Sequence, residues 1–324
     1  MLTKPEIEQL LSMESVISAV EEAYSLFSMN KVKLAPVVSI EVENHHGEMD
    51  IKSGYDQSSE IIGVKLAVGY WNNPEKYGLP SGLATIVLLD GRNGIPLAIM
   101  DGGLITDLRT GAAGAVSAKY LARTNSKKVA VLGTGTQARM QILALSCIFD
   151  IGEIRIWGRN KEKVQDYIVE MKEKVKTKLI PSDTPKECVQ GADIIITTTP
   201  SKSPLIEKSW IDKGSHLICI GTDMPGKQEI DPEIFSGATI VVDSLSQCRE
   251  RGEIQHALQT GLITEQDIYA EMGDIILGKK PWRNSSEEIT IFDSTGLSIQ
   301  DVSVAKMVLK MAKDRKIGKS IQFL

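Results

Sequence analysis

The sequence predicts an α/β protein in which a Rossmann dinucleotide-binding domain is joined to a discontinuous α+β domain. After residue 127, strand-length and helix-length segments alternate, which is typical of a parallel sheet covered on both faces. Between residues 37 and 100, short strands and turns dominate, and a lone amphipathic helix is predicted over 298–315. A chain of 324 residues is long enough for two domains of ordinary size.

The N-terminal part of the chain begins with a helical pattern and continues with strands. Apolar residues recur at helical spacing over 5–29. Strands are predicted over 37–42, 62–70, 81–89 and 96–101. The polar segment Asp90 to Gly94 is typical of a hairpin turn between the last two. A helix over 106–121 follows, and its small residues, Gly111 to Gly114, indicate close packing against another backbone.

One later segment carries a nucleotide-binding pattern. Residues 128–132 are predicted to form a buried strand, and Gly133 and Gly135 allow a tight turn after it. A helix over 136–149 then presents free N–H groups and the positive end of its dipole, which can bind a pyrophosphate. The small Ala138 lets this helix pack close to the strand. The candidate cofactor-binding residues are Gly133, Thr134, Gly135, Thr136, Gln137 and Ala138. The alternative interpretation is that the glycines form a turn in an unrelated βα unit.

The rest of the chain continues the alternation of strands and helices. Further strands are predicted over 153–157, 193–197, 215–220, 239–242 and 289–292. Helices are predicted over 160–175, 245–258 and 264–277. This order is the one expected of consecutive βαβ units in a parallel sheet.

The end of the second Rossmann strand bears on the choice of cofactor. A carboxylate at this position favours NAD, whereas an arginine favours the 2′-phosphate of NADP. The chain has Arg159, Asn160 and Lys161 there and no acidic residue. We therefore favour NADP(H) and retain NAD(H) as the alternative cofactor. The other interpretation is that these residues are only the solvated start of a charged helix.

Hydroxyl side chains follow the strand predicted over 193–197. In sheets of this kind, ligands bind beyond the carboxyl ends of the strands. Thr198, Thr199 and Ser201 are therefore candidates for the nicotinamide side of the cofactor site. The alternative is that the threonines serve only as β-branched packing.

Composition and charge argue against several function classes. A net charge of −5 and a pI near 5.6 argue against a nucleic-acid partner. The longest apolar runs are of strand length, which argues against a membrane span, and the N-terminus lacks the apolar region of a signal peptide. The four cysteines are scattered singly and the four histidines show no metal-ligand spacing. No metal site is predicted, and a cytoplasmic location is expected.

Several separated segments of the chain match one family. The glycine motif, Gly133 to Ala138, is the least specific of them. The others are Gly63-Val-Lys65, Leu104 to Ala113 with its Arg109-Thr110 pair, Thr198 to Ser201, and Gly221-Thr-Asp223-Met-Pro-Gly226-Lys-Gln-Glu. A further segment, Gly252 to Ala257, matches one branch of the same family. By these segments, over nearly its whole length, the chain resembles the ornithine cyclodeaminase/mu-crystallin family of nicotinamide enzymes.

The resemblance implies a split first domain and a Rossmann domain. Residues 1–118 and 298–324 would form the substrate-binding and dimerisation domain of a homodimer, and 119–297 would form the NAD(P)-binding domain. Members of the family act on α-amino or α-imino acids. Some cyclise ornithine to proline and release ammonia, and others reduce ketimines, pyrroline-2-carboxylate or iminosuccinate, or interconvert pyruvate and alanine. All of them transfer a hydride between the nicotinamide and the α-carbon.

The resemblance also implies which residues perform the chemistry. Lys65 and Arg109 match the family's ligands for the substrate carboxylate, and both suit it, because arginine offers a planar fork and lysine a point charge. Lys65 is also a catalytic candidate. Asp223 matches the catalytic aspartate, which can accept or return a proton, and Thr110 is counted among the cofactor-binding residues. Each residue also has a simpler interpretation. Lys65 could be a lysine on an edge strand, and Arg109 could only form a weak ion pair with Asp107. Asp223 could only stabilise a turn.

The chain departs from the family pattern at an early arginine. Many members carry an arginine shortly after an early proline, as another carboxylate ligand, whereas this chain has Pro36-Val-Val-Ser39. Lys52 is a candidate substitute, and Asp50 shares its strand face if that segment is extended. Lys52 could replace the arginine or bind a second substrate carboxylate, and Asp50 could hold a substrate amine. Alternatively, both are ordinary surface charges.

Three functions remain open at the level of sequence. The favoured prediction is an NAD(P)H-dependent reductase of small α-imino acids, of the ketimine, pyrroline-2-carboxylate or iminosuccinate type, that is reversible as an amino-acid dehydrogenase. The first alternative is an ornithine cyclodeaminase, a lyase with bound NAD, against which the missing arginine and Arg159 argue. The second is a mu-crystallin-like NADPH-dependent binding protein, against which the intact Lys65, Arg109 and Asp223 argue.

Overall fold

The structure, a computed structural model, describes residues 1–322 of the chain. The chain divides into two compact units. The first comprises Met1–Arg109 together with the residues from Leu297 onward, and the second comprises Thr110–Gly296. One helix, Gly103–Leu121, contributes residues to both units.

Strands and helices alternate in blocks along the chain. The strands are β1 (Val32–Leu34), β2 (Val38–Val42), β3 (Gly47–Asp56), β4 (Ile61–Tyr70), β5 (Gly82–Asp90), β6 (Pro96–Asp101), β7 (Lys128–Leu132), β8 (Glu153–Trp157), β9 (Lys178–Pro181), β10 (Ile194–Thr197), β11 (Lys202–Ile206), β12 (His216–Cys219), β13 (Gln228–Ile230), β14 (Thr239–Val242), β15 (Ile268–Glu271) and β16 (Thr290–Asp293). The α-helices are α1 (Lys4–Glu8), α2 (Met13–Ser28), α3 (Asn73–Tyr77), α4 (Gly103–Leu121), α5 (Thr136–Ser146), α6 (Lys161–Lys172), α7 (Pro185–Val189), α8 (Leu245–Arg251), α9 (Gln255–Gln259), α10 (Met272–Ile276) and α11 (Ser298–Arg315). Short 3₁₀ segments lie at Glu43–His45, Lys208–Trp210, Pro232–Phe235 and Glu265–Asp267.

The first unit is built on an antiparallel sheet in the order β1-β3-β4-β5-β6, with β2 also paired to β3. The long ladder between β3 and β4 places Lys52 directly opposite Lys65. Helix α11 packs closely on β4, because a Cβ at Gly63 would lie 2.3 Å from Val302 Cγ2. Glycine at position 63 therefore allows the helix that carries residues 298–315 to approach the sheet.

Most elements predicted for the first unit are confirmed, although α4 begins three residues before its predicted start and β1, β3 and the short helix α3 were not predicted. The final helix over 298–315 and the strand over 96–101 have the predicted bounds. The helical pattern over 5–29 is two helices, because the Ser12 side chain accepts the N–H of Ser15 and starts α2 anew. Strand β3 was not predicted, because polar and apolar residues alternate only over 48–52 and the rest of the strand is mostly glycine or polar.

The second unit is a parallel sheet in the order β15-β14-β16-β12-β10-β7-β8-β9. Its central strands β10 and β12 are buried along their whole length, which explains their continuous apolar runs. Strands β11 and β13 form a separate parallel pair. Strand β8 pairs with one side of β7, and β10, which comes later in the chain, pairs with the other side. The carboxyl ends of β7 and β10 therefore flank a switch point, where ligands of such sheets bind.

Several predictions for the second unit are confirmed. The strands predicted over 128–132, 153–157 and 239–242 have those bounds, and those over 193–197, 215–220 and 289–292 differ by one or two residues at their ends. The predicted close packing of the small residues in α4 is also confirmed. A Cβ at Gly111 would lie 2.5 Å from the Met140 carbonyl oxygen, so a larger residue would push α4 away from α5.

Two helix predictions in the second unit need correction. The helix predicted over 264–277 forms only at its end, as α10 over Met272–Ile276, because Ile268–Glu271 forms the edge strand β15 beside β14. Apolar residues at helical spacing do not exclude a strand where a neighbouring strand offers backbone groups to pair. The helix over 245–258 is interrupted at Gly252, where a Cβ would lie 2.4 Å from Asp293 Oδ2.

Two observations on residues 1–322 concern membrane-spanning helices and metal sites. No helix in this part of the chain has the length and apolar character that crossing a bilayer requires. The same residues contain no group of three or more His, Cys, Asp or Glu side chains arranged to hold a metal ion. All four cysteines are free thiols, and Cys147 is the exposed one.

Candidate active-site residues

A cavity of about 650 Å³ opens at the carboxyl ends of β7, β8 and β10 in the second unit. It lies at the switch point of the sheet. Eight of the predicted cofactor-binding residues line it: Gly133, Thr134, Gly135, Arg159, Asn160, Thr198, Thr199 and Ser201. The lining also includes Trp157 and Lys163, which were not among the predicted cofactor-binding residues. The structure thus brings together residues from three separate strand ends.

Gly133 has the backbone conformation that the turn after β7 requires. Its φ is +119°, in the region that residues with a side chain rarely adopt. A Cβ at this position would lie 2.5 Å from Thr198 Oγ1. Thr198 itself donates to the carbonyl oxygen of Leu132 at 3.1 Å. A larger residue at position 133 would therefore force apart the ends of β7 and β10.

Helix α5 begins directly after this turn. Its N-cap, Gly135, has no side chain to accept the first-turn N–H groups. Those N–H groups and the helix dipole suit a phosphate. Arg139 holds the turn in place, because it donates to the Thr134 carbonyl oxygen at 2.6 Å and pairs with Glu170 at 2.7 Å.

The remaining predicted cofactor residues lie outside the cavity lining. Thr136, Gln137 and Ala138 form the first turn of α5, and Ala138 is fully buried there. Thr110 is buried, and its carbonyl oxygen accepts from Gln141 Nε2 at 2.8 Å. These residues shape the turn or the packing behind it.

The end of β8 presents several cations in different settings. Asn160 is the N-cap of α6, because its side chain accepts the N–H of Lys163 at 3.0 Å. Lys161 pairs with Asp183 at 2.6 Å on the surface. Arg159 and Lys163 line the cavity, and neither forms an ion pair with any residue of the described chain. The end of β8 therefore offers two cations to an anionic group in the cavity.

The first unit brings Lys65 and Arg109 together on one carboxylate. Lys65 Nζ lies 2.7 Å from Asp301 Oδ2, and Arg109 Nε lies 3.2 Å from Asp301 Oδ1. All three side chains are at most 7% exposed. Arg109 also donates to Gln300 Oε1 at 3.3 Å. Lys65 lies on the interior strand β4, so the edge-strand interpretation is wrong. Arg109 contacts Asp301 of helix α11, so its contacts are not limited to its own helix.

This cluster carries an excess of positive charge. Burial lowers the pKa of Lys65 from 10.5 to about 7; the Asp301 carboxylate opposes this shift, and the Arg109 and Lys52 cations add to it. Burial alone would raise the pKa of Asp301, but Lys65 and Arg109 hold it below its ordinary value. Two buried cations thus share one carboxylate, and an anionic ligand would offset the remaining charge.

Asp50 and Lys52 lie on the same face of β3, as expected for residues two apart on a strand. Asp50 Oδ1 accepts from the Ser39 hydroxyl of β2 at 2.5 Å. Lys52 is half-buried and stands opposite Lys65 in the ladder. Like charges that face each other across strands are unfavourable, so Lys52 adds to the positive potential around Lys65.

Asp223 lies four residues after β12, at the carboxyl edge of the sheet in the second unit. Its side chain is half exposed, and its Oδ1 lies 2.6 Å from Lys227 Nζ. Gly226, with φ of +78°, turns the chain back between them. No role was predicted for Lys227 from the sequence, although it directly follows Gly226 in the motif that contains Asp223.

Comparisons with known proteins agree with this geometry. A family model for the ornithine cyclodeaminase/mu-crystallin family matches residues 1–316. A solved archaeal alanine dehydrogenase dimer with bound NAD is 40% identical, covers 100% of this chain and 98% of that chain, and has a TM-score of 0.94. The Δ1-pyrroline-2-carboxylate reductase of Thermococcus litoralis, solved with NADH and L-proline, is 34% identical over 99% of both chains, with a TM-score of 0.94.

A third solved structure extends the comparison to another named activity. The iminosuccinate reductase of Paracoccus denitrificans, in complex with NAD⁺, is 30% identical over 99% of both chains, with a TM-score of 0.93. The matches therefore span both units and are not limited to the dinucleotide-binding fold. The chain belongs to the ornithine cyclodeaminase/mu-crystallin family.

Proposed function

We propose that this protein reduces small α-imino acids with a nicotinamide cofactor and, in the reverse direction, oxidises α-amino acids. The observation that carries the proposal is the buried cluster of Lys65, Arg109 and Asp301, in which two cations share one carboxylate. An α-imino or α-amino acid brings the carboxylate that offsets the remaining charge. The names of the three similar enzymes, for alanine, pyrroline-2-carboxylate and iminosuccinate, support this substrate class.

The cavity of the second unit fits a dinucleotide. Gly135 leaves the backbone at the start of α5 open to the cavity, because a Cβ there would have no atom within 4 Å, and the uncapped start of α5 suits a pyrophosphate. We assign Thr198, Thr199 and Ser201 to the nicotinamide side of this cavity. A nicotinamide bound there would supply or accept the hydride, and the protein's side chains would orient the substrate and move its proton.

Arg159 supports a preference for NADP(H) over NAD(H). It lies at the end of β8, where the adenosine ribose binds in Rossmann domains. Arg159 and Lys163 both line the cavity, and no carboxylate from the lining opposes them. A 2′-phosphate would give these cations a partner. The three solved relatives contain NAD, NADH and NAD⁺, so NAD(H) is the alternative that the cofactor assays must test.

We propose that Asp223 passes the proton that accompanies hydride transfer. Its carboxylate is half exposed and lies next to Lys227, so it is accessible for proton exchange. Lys65 and Arg109 would hold the substrate carboxylate. Because the pKa of Lys65 is about 7, the negative charge of a bound carboxylate would favour its protonated form.

A dicarboxylic imine is a second candidate substrate, favoured by Lys52. This residue stands opposite Lys65, and its charge lowers the pKa of that lysine. A second substrate carboxylate near Lys52 would relieve the repulsion between the two lysines. A monocarboxylic imine would leave Lys52 without this role. The two substrate types therefore differ in how strongly they should depend on Lys52.

We also propose that the protein forms a homodimer through the sheet of the first unit. The solved alanine dehydrogenase is a dimer, and strand β2 exposes Val38 and Ile40, which are 54% and 44% accessible. Light scattering after size exclusion should give twice the chain mass, and a monomer would contradict this. The cytoplasmic location stays a prediction.

The proposed activity is tested by following NADPH absorbance with a panel of imines. The panel comprises pyrroline-2-carboxylate, piperideine-2-carboxylate, and pyruvate or oxaloacetate with ammonia, each repeated with NADH. Rapid oxidation with one imine would support the reductase and identify its substrate class. Ammonia release from ornithine without net cofactor oxidation would indicate the cyclodeaminase instead. Tight cofactor binding with neither activity would indicate a binding protein.

A further inference from the structure

We propose that the segment Arg251–His256 positions Asp223, and that Gln255 is the central positioning residue. This inference rests on the proposed role of Asp223. The Asp223 loop is defined here as residues 221–227, which connect β12 to β13. The sequence motif Gly252 to Ala257 had no assigned role, and the structure places it directly against this loop.

The side-chain amide of Gln255 contacts the loop backbone with both of its polar atoms. Its Oε1 accepts the N–H of Gly226 at 2.8 Å. Its Nε2 donates to the carbonyl oxygens of Met224 at 3.4 Å and Lys227 at 3.3 Å, and to that of Gly252 at 2.8 Å. Gln255 is 1% exposed, so a lost contact is not replaced by water. An amide satisfies donors and acceptors together, which neither a carboxylate nor an apolar side chain does.

Neighbours of Gln255 add two further contacts to the loop backbone. Arg251 Nε donates to the carbonyl oxygen of Asp223 itself at 3.0 Å. His256 Nε2 lies 3.2 Å from the carbonyl oxygen of Lys227. Both ends of the Asp223–Lys227 ion pair are therefore fixed through their main chain by the same segment.

Two buried carboxylates connect the start of the loop to the cofactor cavity. Glu253 accepts the hydroxyl of Thr222, and it also accepts the N–H of Glu229 at 2.7 Å. Glu229 in turn accepts the N–H of Gly221 at 3.0 Å and that of Thr199 at 2.5 Å. Thr199 lines the cavity. The position of the loop is thus linked to the wall on which we place the nicotinamide.

The exposed loop depends on these contacts. Asp223, Pro225 and Gly226 are exposed to solvent, so packing does little to fix them. The polar atoms of the segment beneath supply the restraint instead. A displacement of about 1 Å in a reacting group can cost roughly 100-fold in rate, so a loosened loop should slow turnover without weakening cofactor binding.

The test compares Gln255→Met with Ser215→Ala. Ser215 is a matched control because it is fully buried and donates to Ala192 at 2.9 Å, at the opposite end of the strand that leads to Asp223. We expect Gln255→Met to lower kcat by about 10- to 100-fold while the cofactor Kd, from fluorescence titration, stays within about twofold. Ser215→Ala should change neither. Gln255→Glu keeps the acceptor for Gly226 but loses the donor to three carbonyl oxygens, so it should also lower kcat relative to the unsubstituted protein.

A double variant shows whether Gln255 acts through Asp223. If it does, Gln255→Met should cause no further loss in an Asp223→Asn background. Full additivity of the two losses, or an unchanged kcat in Gln255→Met, would overturn the inference. If Asp223→Asn alone leaves turnover unchanged, both the proposed role of Asp223 and the positioning role fail.

Hydrogen exchange separates this inference from the proposed function. Peptides that cover residues 221–227 should exchange faster in Gln255→Met than in Ser215→Ala, whether or not a substrate is known. Equal exchange in the two variants would overturn the positioning role even in an active enzyme. Faster exchange in a protein that turns over no imine would instead count against the proposed function alone.

Discussion

Replacing Asp301 by asparagine should destabilise the first unit and change its charge balance. The carboxylate lies 2.7 Å from Lys65 Nζ and 3.2 Å from Arg109 Nε, and all three side chains are almost fully buried. Removal of one partner from a buried ion pair costs about 3–5 kcal/mol. Because asparagine keeps one acceptor oxygen, we expect a loss of about 3 kcal/mol in the free energy of unfolding, measured by urea denaturation.

The same substitution should move the pH dependence of substrate binding. The Asp301 carboxylate raises the pKa of Lys65, which is about 7 in the folded protein. An opposite charge this close shifts a pKa by about 1–3 units, so its loss should lower the pKa of Lys65 further. Lys65 must be protonated to bind a carboxylate. The value of kcat/KM should therefore fall as pH rises through about 7, and in Asp301→Asn this fall should begin at least about one pH unit lower.

Asp56→Asn is a matched control in the same unit. Asp56 is buried and lies 2.9 Å from Lys306; burial opposes its ionisation, but Ser58, Ser59 and Lys306 lower its pKa to about 2. This variant should lose stability and keep the pH profile of kcat/KM. An unchanged profile in Asp301→Asn, or an equal shift in Asp56→Asn, would refute the proposed link between the buried cluster and the substrate carboxylate.

Three further substitutions test the assignments of individual residues. Asp223→Asn should keep cofactor binding and lose turnover, because the amide cannot pass a proton; unchanged kcat in a stopped-flow assay would remove Asp223 from the mechanism. Arg159→Ala should weaken NADPH roughly 10-fold or more and leave NADH nearly unchanged in titrations, with Lys161→Ala as a control, and equal losses for both cofactors would contradict the 2′-phosphate assignment. Lys52→Met should raise KM for a dicarboxylic imine more than for a monocarboxylic one, and equal effects would exclude a second carboxylate site.

The dinucleotide-binding part of the fold was predictable because its signals are local. The strand over 128–132 and the turn at Gly133 are specified by neighbouring residues, and the structure confirms both bounds and conformation. The final helix over 298–315 has a complete apolar face and was predicted with the observed ends. Helical spacing over 264–277 was misleading, because an edge strand is decided by the neighbouring β14 and not by its own sequence.

The polar contacts of the site were much less predictable. Asp301 is separated from Arg109 by 192 positions, and in the sequence it reads as an ordinary acidic residue in the first turn of a helix. The contacts of Gln255 also depend on tertiary packing, because the loop it holds begins more than 25 residues earlier. The sequence motifs identified Lys65 and Asp223 as candidates, but not the residues that hold them in place.

Deuterium transfer tests the proposed hydride step most directly. The protein would be supplied with NADPH or NADH that carries deuterium at both hydrogens of C4, and with the imine that gives the fastest oxidation. Mass spectrometry of the product should show one deuterium at the α-carbon of the amino acid, with equal amounts of cofactor oxidised and product formed. Product without deuterium, or ammonia release with no net change in the cofactor, would contradict the proposed reductase.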